Sequence, residues 1–423
     1  MQLLAATLGL LMACGAAWGA SVQDITQRLQ RAKSGTGIVR ILHFGDSHLA
    51  APAASGAYGA FFRSGYGDGG PGLGLPWVRS VTGVRAEASR GWRKPGRKED
   101  DFGRGLGGAF LEARRPGEWA RLEARFSRLR IHLLRQPGGG QVQIVLDGRV
   151  LEMVDLSAGS GPVHIFEYAT GEAPRPHRLE LLTRSAGPVR ILDVALEGTT
   201  GTTHSTLAFN GAAASWLAET PSELFAAELQ AESPDLVLLA FGTNEANATD
   251  FEPSAYQAML ESLLMRFQKA APGAGFVLVG PPDARLKRGI PQALEQVIQV
   301  QRTVASRMGA LFVDRRQAMG GAGSIEAWRQ EGLAGNDLVH MTAPGYTRLA
   351  RAMLSDLWSQ LGQEAHFASG PEPVLPPPSS SLPPSGPKGS TIYVFRTTEG
   401  RLFIVDDPRK VAGLEGEWIQ GKP

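Results

Sequence analysis

The chain has 423 residues, of which 43% are hydrophobic and 20% charged, a composition typical of globular proteins rather than of disordered or fibrous ones. Its 43 Lys and Arg residues nearly balance its 41 Asp and Glu residues, so the net charge of +2 provides no strong field for binding nucleic-acid phosphates. The single cysteine, Cys14, excludes an internal disulfide framework and thiolate zinc clusters. The length predicts a large domain with an inserted or appended unit.

The N-terminal segment is typical of an exported protein. Residues 1–23 carry no charged side chain, and the apolar run Leu3–Ala13 is followed by small residues. This pattern predicts a signal peptide over residues 1–20. Two alternatives stay open: a lipoprotein in which Cys14 is lipidated, and an uncleaved anchor. Only these alternatives would attach the protein to a membrane.

Short apolar segments alternate with amphipathic segments of helical length in much of the chain. Continuous apolar strands alternating with helices are typical of a parallel sheet with helices on both faces, so the pattern predicts an α/β fold. The predicted strands are Ile38–Gly45, Pro234–Gly242, Gly275–Gly280 and Ala310–Asp314. The predicted helices are Pro253–Ala271, Gln292–Met308 and Ala343–Gln363.

Residues 75–198 follow a different pattern. They contain short alternating segments separated by Gly, Pro and Asp, which predict an antiparallel β sandwich or jelly roll. This unit would be inserted into the α/β domain, dividing it into residues 21–74 and 199–367. The clearest alternating segments are Arg128–Leu134, Gln141–Gly148, Val163–Tyr168, His177–Leu182 and Val189–Leu196.

The C-terminal part has two further segments. Residues 368–390 are rich in proline and serine and are expected to form a semi-rigid linker. Residues 391–423 contain two apolar runs around Thr397–Gly400, which predicts a small β-hairpin module. A unit of this size has little core of its own.

Polar residues that could perform chemistry follow the predicted strands. Ser47 comes directly after the first strand, and Asn244 comes just after the second. Ligands of open α/β sheets bind at this carboxyl edge. In the run Asp337-Leu-Val-His340, the spacing lets the carboxylate reach one ring nitrogen of His340 while the other faces a nucleophile. Each motif alone fits an ordinary turn, but together they supply a nucleophile, a base, an orienting carboxylate and an amide donor.

These motifs resemble those of the SGNH/GDSL hydrolase superfamily, in the same order along the chain. Gly45-Asp-Ser47, Gly242-Thr-Asn244 and Asp337-Leu-Val-His340 match directly, and Gly211 in Phe209-Asn-Gly-Ala supplies the glycine motif. The competing α/β-hydrolase motif Gly-x-Ser-x-Gly does not occur. The resemblance implies an SGNH-hydrolase-like parallel sheet and catalysis without a metal or organic cofactor. It implies that the catalytic residues are Ser47, Asp337 and His340, and that the oxyanion hole is formed by Ser47, Gly211 and Asn244.

More narrowly, the chain resembles Gram-negative peptidoglycan O-acetylesterases, which carry a carbohydrate-binding-module-like β domain at the position of residues 75–198. The glycine-rich run Tyr66–Pro76 also fits these enzymes. The sequence departs from the superfamily at His48, where leucine is usual, and at Glu245, where aspartate is frequent. The resemblance implies an exported serine esterase of the periplasm or outer envelope. Its partner would be an O-acetylated polysaccharide, and peptidoglycan is the favoured candidate. The oligomeric state is left open.

Two other functions are compatible with the sequence. One is an SGNH esterase or acyltransferase acting on lipids, small esters or other glycans. The other is a non-enzymatic polysaccharide-binding protein in which the inserted domain holds the glycan, although a scaffold has no need of the complete set of motifs. Trp77, Trp92 and Trp119 could stack on sugars or simply pack in the insert. The histidines lack the spacing of metal ligands, and the Gly-x-Gly-x-x-Gly runs do not follow strands, so neither a metal nor a nucleotide is expected.

Overall fold

The computed structural model describes residues 19–94, 103–286 and 292–367, together with the backbone of short strands beyond residue 392. The apolar part of the predicted signal peptide, with Cys14, and the predicted linker lie outside the described residues. The chain forms two compact units that divide after Leu375, and the first contains both the α/β domain and the insert. None of the helices that could be searched is long and apolar enough to cross a bilayer.

The strands of the first unit belong to a parallel sheet and to antiparallel sheets. They are β1 (Ile38–Gly45), β2 (Gly72–Gly74), β3 (Val84–Ala88), β4 (Leu111–Ala113), β5 (Trp119–Phe126), β6 (Arg128–Leu134), β7 (Gln141–Leu146), β8 (Arg149–Asp155), β9 (Val163–Ala169), β10 (Arg175–Thr183), β11 (Val189–Glu197), β12 (Gly201–Ala208), β13 (Leu236–Ala240), β14 (Gly275–Gly280) and β15 (Leu311–Asp314).

All the helices of the described residues lie outside the insert. They are α1 (Val22–Lys33), α2 (Ser47–Ala50), α3 (Pro52–Tyr66), α4 (Ala214–Glu219), α5 (Ser222–Glu232), α6 (Thr243–Ala246), α7 (Pro253–Ala270), α8 (Ala293–Arg307), α9 (Arg315–Ala318), α10 (Ser324–Gln330) and α11 (Ala343–Gln360). Helix α1 begins with a capping box, in which Ser21 and Asp24 bond each other's backbone N–H groups.

The α/β domain is built on a parallel sheet with the order β12-β1-β13-β14-β15. Side chains alternate between its faces: on β13, Leu238 packs in the core beneath α1, α3 and α11, whereas Leu239 packs in the core beneath α5, α7 and α8. Both faces are therefore covered, which explains why the strands are continuously apolar. The predicted fold class is confirmed, and the predicted helices end within a few residues of the observed ones.

The inserted residues form two antiparallel sheets packed face to face. One has the order β3-β5-β10-β7-β8 and the other β2-β11-β6-β9, with β4 also paired to β11. Their inner faces share a core that includes Phe126, Ile131 and Leu181. Trp77 and Trp92 are buried in this same core, so packing accounts for them better than sugar stacking does. The antiparallel pairing begins at β2, slightly before the predicted start of the insert at residue 75.

Strand β12, which lies at one edge of the parallel sheet, was not among the predicted strands. Its sequence is rich in Thr and Ser, so it lacks the apolar run that marks the other strands. The glycine-rich segment before β2 packs against it closely: a Cβ on Gly69 would lie 2.7 Å from the backbone of Thr202. The Ser205 hydroxyl accepts the backbone N–H of Leu73 at 2.8 Å. The glycines allow the two backbones to approach, and the approach satisfies the polar side chains of a buried strand.

In the second unit, three short strands form an antiparallel sheet. They are β16 (Tyr393–Thr397), β17 (Leu402–Val405) and β18 (Gly416–Gln420), in the order β17-β16-β18. The first two strands pair antiparallel. The third strand, which the sequence did not indicate, pairs with the other edge of β16.

Candidate active site

Ser47 lies at the carboxyl edge of the parallel sheet, at the first residue of α2. Strand β1 ends at Gly45, where a Cβ would lie 3.0 Å from the carbonyl oxygen of Ala240, so glycine allows the turn to pass close to β13. The buried Asp46 then caps α2 by accepting the backbone N–H of His48 at 2.9 Å. This strand-to-helix turn presents the Ser47 hydroxyl to a pocket of about 630 Å³.

The structure brings Ser47, His340 and Asp337 into one line of contacts. The Ser47 Oγ lies 2.9 Å from His340 Nε2, and His340 Nδ1 lies 2.7 Å from Asp337 Oδ2. The other carboxylate oxygen of Asp337 accepts the backbone N–H groups of Val339 and His340. With Nδ1–H donating to the carboxylate, Nε2 is free of a proton and can accept one from the serine hydroxyl. The spacing of the sequence motif thus corresponds to a geometry suited to activating a nucleophile.

The Asp337 carboxylate keeps its negative charge over the whole physiological range. Burial would raise its pKa, but hydrogen bonds from the His340 ring and from the backbone of His340 and Val339 lower the pKa of Asp337 to about 2. A permanent negative charge beside the imidazole stabilises the imidazolium that forms when the ring accepts a proton.

Asn244 and Gly211 lie in the same pocket as Ser47. The side-chain amide of Asn244, which follows β13, donates to the carbonyl oxygen of Ala212 at 2.8 Å. An amide has two N–H donors, so this bond fixes the group while a second donor can serve a ligand. Gly211 has φ +83°, a backbone conformation that favours glycine. The loops after β1, β12 and β13 therefore meet at one point of the sheet edge.

Glu245 joins two of these loops. Its carboxylate accepts the N–H of Gly242 at 2.9 Å and the N–H of Ala214 at 2.7 Å, so one side chain holds the Asn244 loop against the segment that follows Gly211. Burial, together with the nearby charge of Asp46, raises the pKa of Glu245 to about 7 despite these bonds. The sequence showed Glu245 only as a departure from the family motif, whereas the structure assigns it a positioning role.

His48 packs beside the His340 ring and contacts Tyr346 of helix α11. The His48 ring is buried, and its Nδ1 lies 3.2 Å from the Tyr346 hydroxyl. The centroids of the His48 and His340 rings are 5.4 Å apart. Burial, followed by the charges of Arg315 and His340, holds the pKa of His48 well below its usual value. A neutral ring can pack beside an imidazolium without repulsion. No motif indicated Tyr346, which is brought to the pocket only by the docking of α11.

We predict that Asn244→Ala lowers kcat for p-nitrophenyl acetate by about 10²- to 10³-fold, because a fixed donor to the developing oxyanion is lost. KM should change much less, since the charge develops only in the transition state. Steady-state kinetics of the purified variant check this. Equal kcat values for the variant and the wild type would remove Asn244 from the oxyanion site.

A serine, an imidazole and a carboxylate in contact at the edge of a parallel sheet, with an amide donor beside them, define a serine hydrolase site. Within the part of the chain that the structure describes, no group of three or more His, Cys, Asp or Glu side chains could hold a metal ion.

Comparisons with known proteins point to the same class. The model of the GDSL-like lipase/acylhydrolase family matches residues 157–348, a range that contains Asn244, Asp337 and His340 but begins after Ser47. Ser47 lies outside the matched range, but in the structure its hydroxyl contacts His340, which lies within that range. A search of curated proteins finds no match.

Solved structures include a peptidoglycan O-acetylesterase with a TM-score of 0.69 and 25% sequence identity, covering 81% of this chain and 98% of that chain. A family two carbohydrate esterase from Cellvibrio japonicus has 13% identity, covers 66% of this chain and 98% of its own, and has a TM-score of 0.30. The latter score is too low to support any inference. The resemblance to the SGNH/GDSL hydrolases, and within them to peptidoglycan O-acetylesterases, is confirmed by the family model and the first structure.

Proposed function

We propose that this protein is a serine esterase that removes O-acetyl groups from peptidoglycan through an acetyl-enzyme on Ser47. The observation that carries the proposal is the contact of Ser47 with His340, itself held by Asp337, within a fold similar to that of a peptidoglycan O-acetylesterase. A polysaccharide substrate agrees with the open cleft that adjoins the pocket.

The first half of the reaction forms the acetyl-enzyme. The Ser47 oxygen attacks the carbonyl carbon of the acetyl ester while its proton passes to His340 Nε2. The tetrahedral oxyanion accepts hydrogen bonds from the backbone N–H groups of Ser47 and Gly211 and from the Asn244 amide. When this intermediate collapses, the bond to the sugar oxygen breaks and His340 returns the proton to that oxygen. The sugar leaves with a free hydroxyl, and the acetyl group stays on the serine.

The second half regenerates the enzyme. Water attacks the acetyl carbonyl carbon as His340 takes one of its protons, and the second tetrahedral intermediate is held by the same donors. Its collapse breaks the bond to Ser47, whose oxygen regains the proton from His340, and acetate is released. Throughout both halves Asp337 keeps the ring in the tautomer that exposes Nε2 and stabilises its charged form.

The proposal also concerns where the protein acts. Peptidoglycan lies outside the cytoplasmic membrane, and the uncharged apolar N-terminus is typical of a secretory signal. We therefore propose export to the periplasm or the outer envelope, with a free or a lipidated N-terminus. Fractionation of cells that express the full chain would locate it, and retention in the cytoplasm would count against this placement.

The proposal is tested by measuring acetate released by the wild type from O-acetylated peptidoglycan and from acetylated xylan at equal ester concentration. We expect kcat/KM for peptidoglycan to exceed that for xylan by about tenfold or more, a difference of about 1.4 kcal/mol in transition-state binding. Activity on p-nitrophenyl acetate but not on peptidoglycan would contradict the proposed substrate. Transfer of the acetyl group to a sugar hydroxyl instead of to water would identify an acyltransferase.

A further inference from the structure

A second, larger cavity of about 1170 Å³ lies between the α/β domain and the insert. It shares the lining residues Ala50, Pro52, Asn210 and Gly211 with the pocket that contains Ser47. The two cavities therefore form one continuous depression, with the serine at one side. We call the larger part the inter-domain cleft.

The inter-domain cleft has walls from both parts of the first unit. Helix α3 and the end of β12 form one wall, and the segment Val78–Gly83 with Gly108 and Ala109 contributes to the other. Its volume of about 1170 Å³ exceeds the range of about 300–1,000 Å³ that is usual for small-ligand sites. An acetyl group needs only the pocket around Ser47. The cleft is large enough for a segment of polymer on either side of the reacting sugar.

Charge in the inter-domain cleft is strongly one-sided. Asp68 is the single acidic residue among the described lining residues, and its carboxylate accepts the backbone N–H of Gly70 at 3.0 Å. His204 adds no charge, because burial lowers its pKa to about 3. The chain as a whole has nearly equal numbers of acidic and basic residues. The cations that line the cleft are Arg63, Arg79, Lys94, Arg104 and Arg125.

These cations come from separate segments of the fold. Arg63 belongs to α3, and Arg125 belongs to β5 of the insert. Arg79 stacks over the Phe209 ring at 5.4 Å, which places a guanidinium next to the Gly211 loop. Lys94 and Arg125 are exposed, so their charges are available to a ligand in the cleft. Convergence of cations from several segments on one concave surface favours an anionic ligand.

We propose that the inter-domain cleft binds the carboxylate-bearing part of the substrate strand and so selects anionic glycan over neutral acetylated polysaccharide. This inference rests on the proposed function. In peptidoglycan the carboxylates belong to the peptides attached to the sugars, so a strand in the cleft can place a peptide against the cations while an acetylated sugar reaches Ser47. A neutral polysaccharide offers these cations no partner.

The test uses O-acetylated peptidoglycan fragments in two forms, one with its carboxylates intact and one with them converted to amides. We expect the wild type to have a kcat/KM about threefold to tenfold higher for the intact form, since exposed ion pairs contribute modestly. In the double variant Lys94→Gln and Arg125→Gln this ratio should fall towards one. Raising the salt concentration should lower the wild-type ratio, because exposed charges are screened.

The matched control is the double variant Arg149→Gln and Arg178→Gln, which removes two exposed cations from β8 and β10 of the same insert. It should keep the wild-type ratio. A wild-type ratio of one, or an unchanged ratio in the Lys94 and Arg125 variant, would overturn the inference while leaving the esterase intact. Absence of acetate release from both forms would instead refute the proposed function. In that event, the inference is tested by measuring the affinity of the Ser47→Ala variant for the intact and the amidated fragments. Equal affinities for the two forms would overturn the inference.

Discussion

Replacing Ser47 by alanine is expected to lower kcat for p-nitrophenyl acetate by roughly 10⁴- to 10⁶-fold, because no acetyl-enzyme can form without the hydroxyl. Ser47 is half-buried and its side chain borders the pocket, so the small loss of volume should leave the fold unchanged. Asp46 still caps α2 through its own side chain, and the Ser47 backbone keeps its place in the oxyanion site. Kinetics of the purified variant, with circular dichroism to verify folding, check this expectation.

The control for this variant is Ser64→Ala. Ser64 is an exposed residue of α3 whose hydroxyl donates to the carbonyl oxygen of Phe61, at 3.2 Å, in the same helix. Its removal should leave kcat within about twofold of the wild type, since surface substitutions of this kind have small effects. If Ser47→Ala retained activity comparable to Ser64→Ala, another residue would have to be the nucleophile.

The second large effect is expected at a buried charged cluster that joins the insert to the α/β domain. His132 on β6 has no exposed side-chain surface, and its two ring nitrogens lie 3.0 Å from Glu228 and 2.9 Å from Glu232, both on α5. Arg130, two residues before it, pairs with Glu232 at 2.9 Å and with Glu197 at 2.8 Å. The insert is thus tied to a helix of the α/β domain by ionised groups that water does not reach.

His132→Ala should lower the free energy of unfolding by about 3–5 kcal/mol, because Glu228 would stay buried without its cation and Glu232 would keep only Arg130. Chemical denaturation measures the change. His164→Ala on the neighbouring strand β9 is the control: His164 is partly exposed and lies 3.4 Å from Glu152, so its loss should cost less than about 1 kcal/mol. A result for His132→Ala no larger than that for His164→Ala would show that the cluster does not hold the two parts together.

The cluster also predicts a pH dependence of stability. Burial would lower the pKa of His132, but its bonds to Glu228 and Glu232 raise the pKa to about 10. The folded state therefore binds the proton more tightly than the unfolded state, whose histidine has a pKa near 6.5. The contribution of His132 is fully present below that value and is lost as the pH rises through 10. The alkaline decline in unfolding free energy should be smaller in His132→Ala than in the wild type.

Much of the fold could be predicted from the sequence because its central strands are buried on both faces. Such strands read as apolar runs, and β1, β13, β14 and β15 all lie at predicted positions. Strand β12 could not be predicted in this way because it contains hydroxyl side chains instead of an apolar run. These hydroxyls can be buried because they form hydrogen bonds with the glycine-rich segment. The glycine-rich segment and β12 are far apart in the chain, so the sequence pattern does not show that they interact. The close approach of Gly69 and Gly72 to β12 explains why glycine stands at these two positions of the segment.

The residues of the candidate site that lie in short sequence motifs could be predicted. The spacing of Asp337 and His340 already implied their contact, and the strand ends implied that Ser47 and Asn244 would meet. The supporting residues could not be predicted in this way. Glu245 acts by joining two loops, and the buried cluster draws its members from β6, β11 and α5. Their partners are set by tertiary packing, which local patterns do not encode.

The most direct test of the central claim is the release of acetate from purified O-acetylated peptidoglycan by the wild type and by Ser47→Ala, measured side by side. We expect rapid release by the wild type and release no faster than spontaneous hydrolysis by the variant. Release at similar rates by both proteins, or by neither, would contradict the account of this chain as a peptidoglycan O-acetylesterase that acts through Ser47.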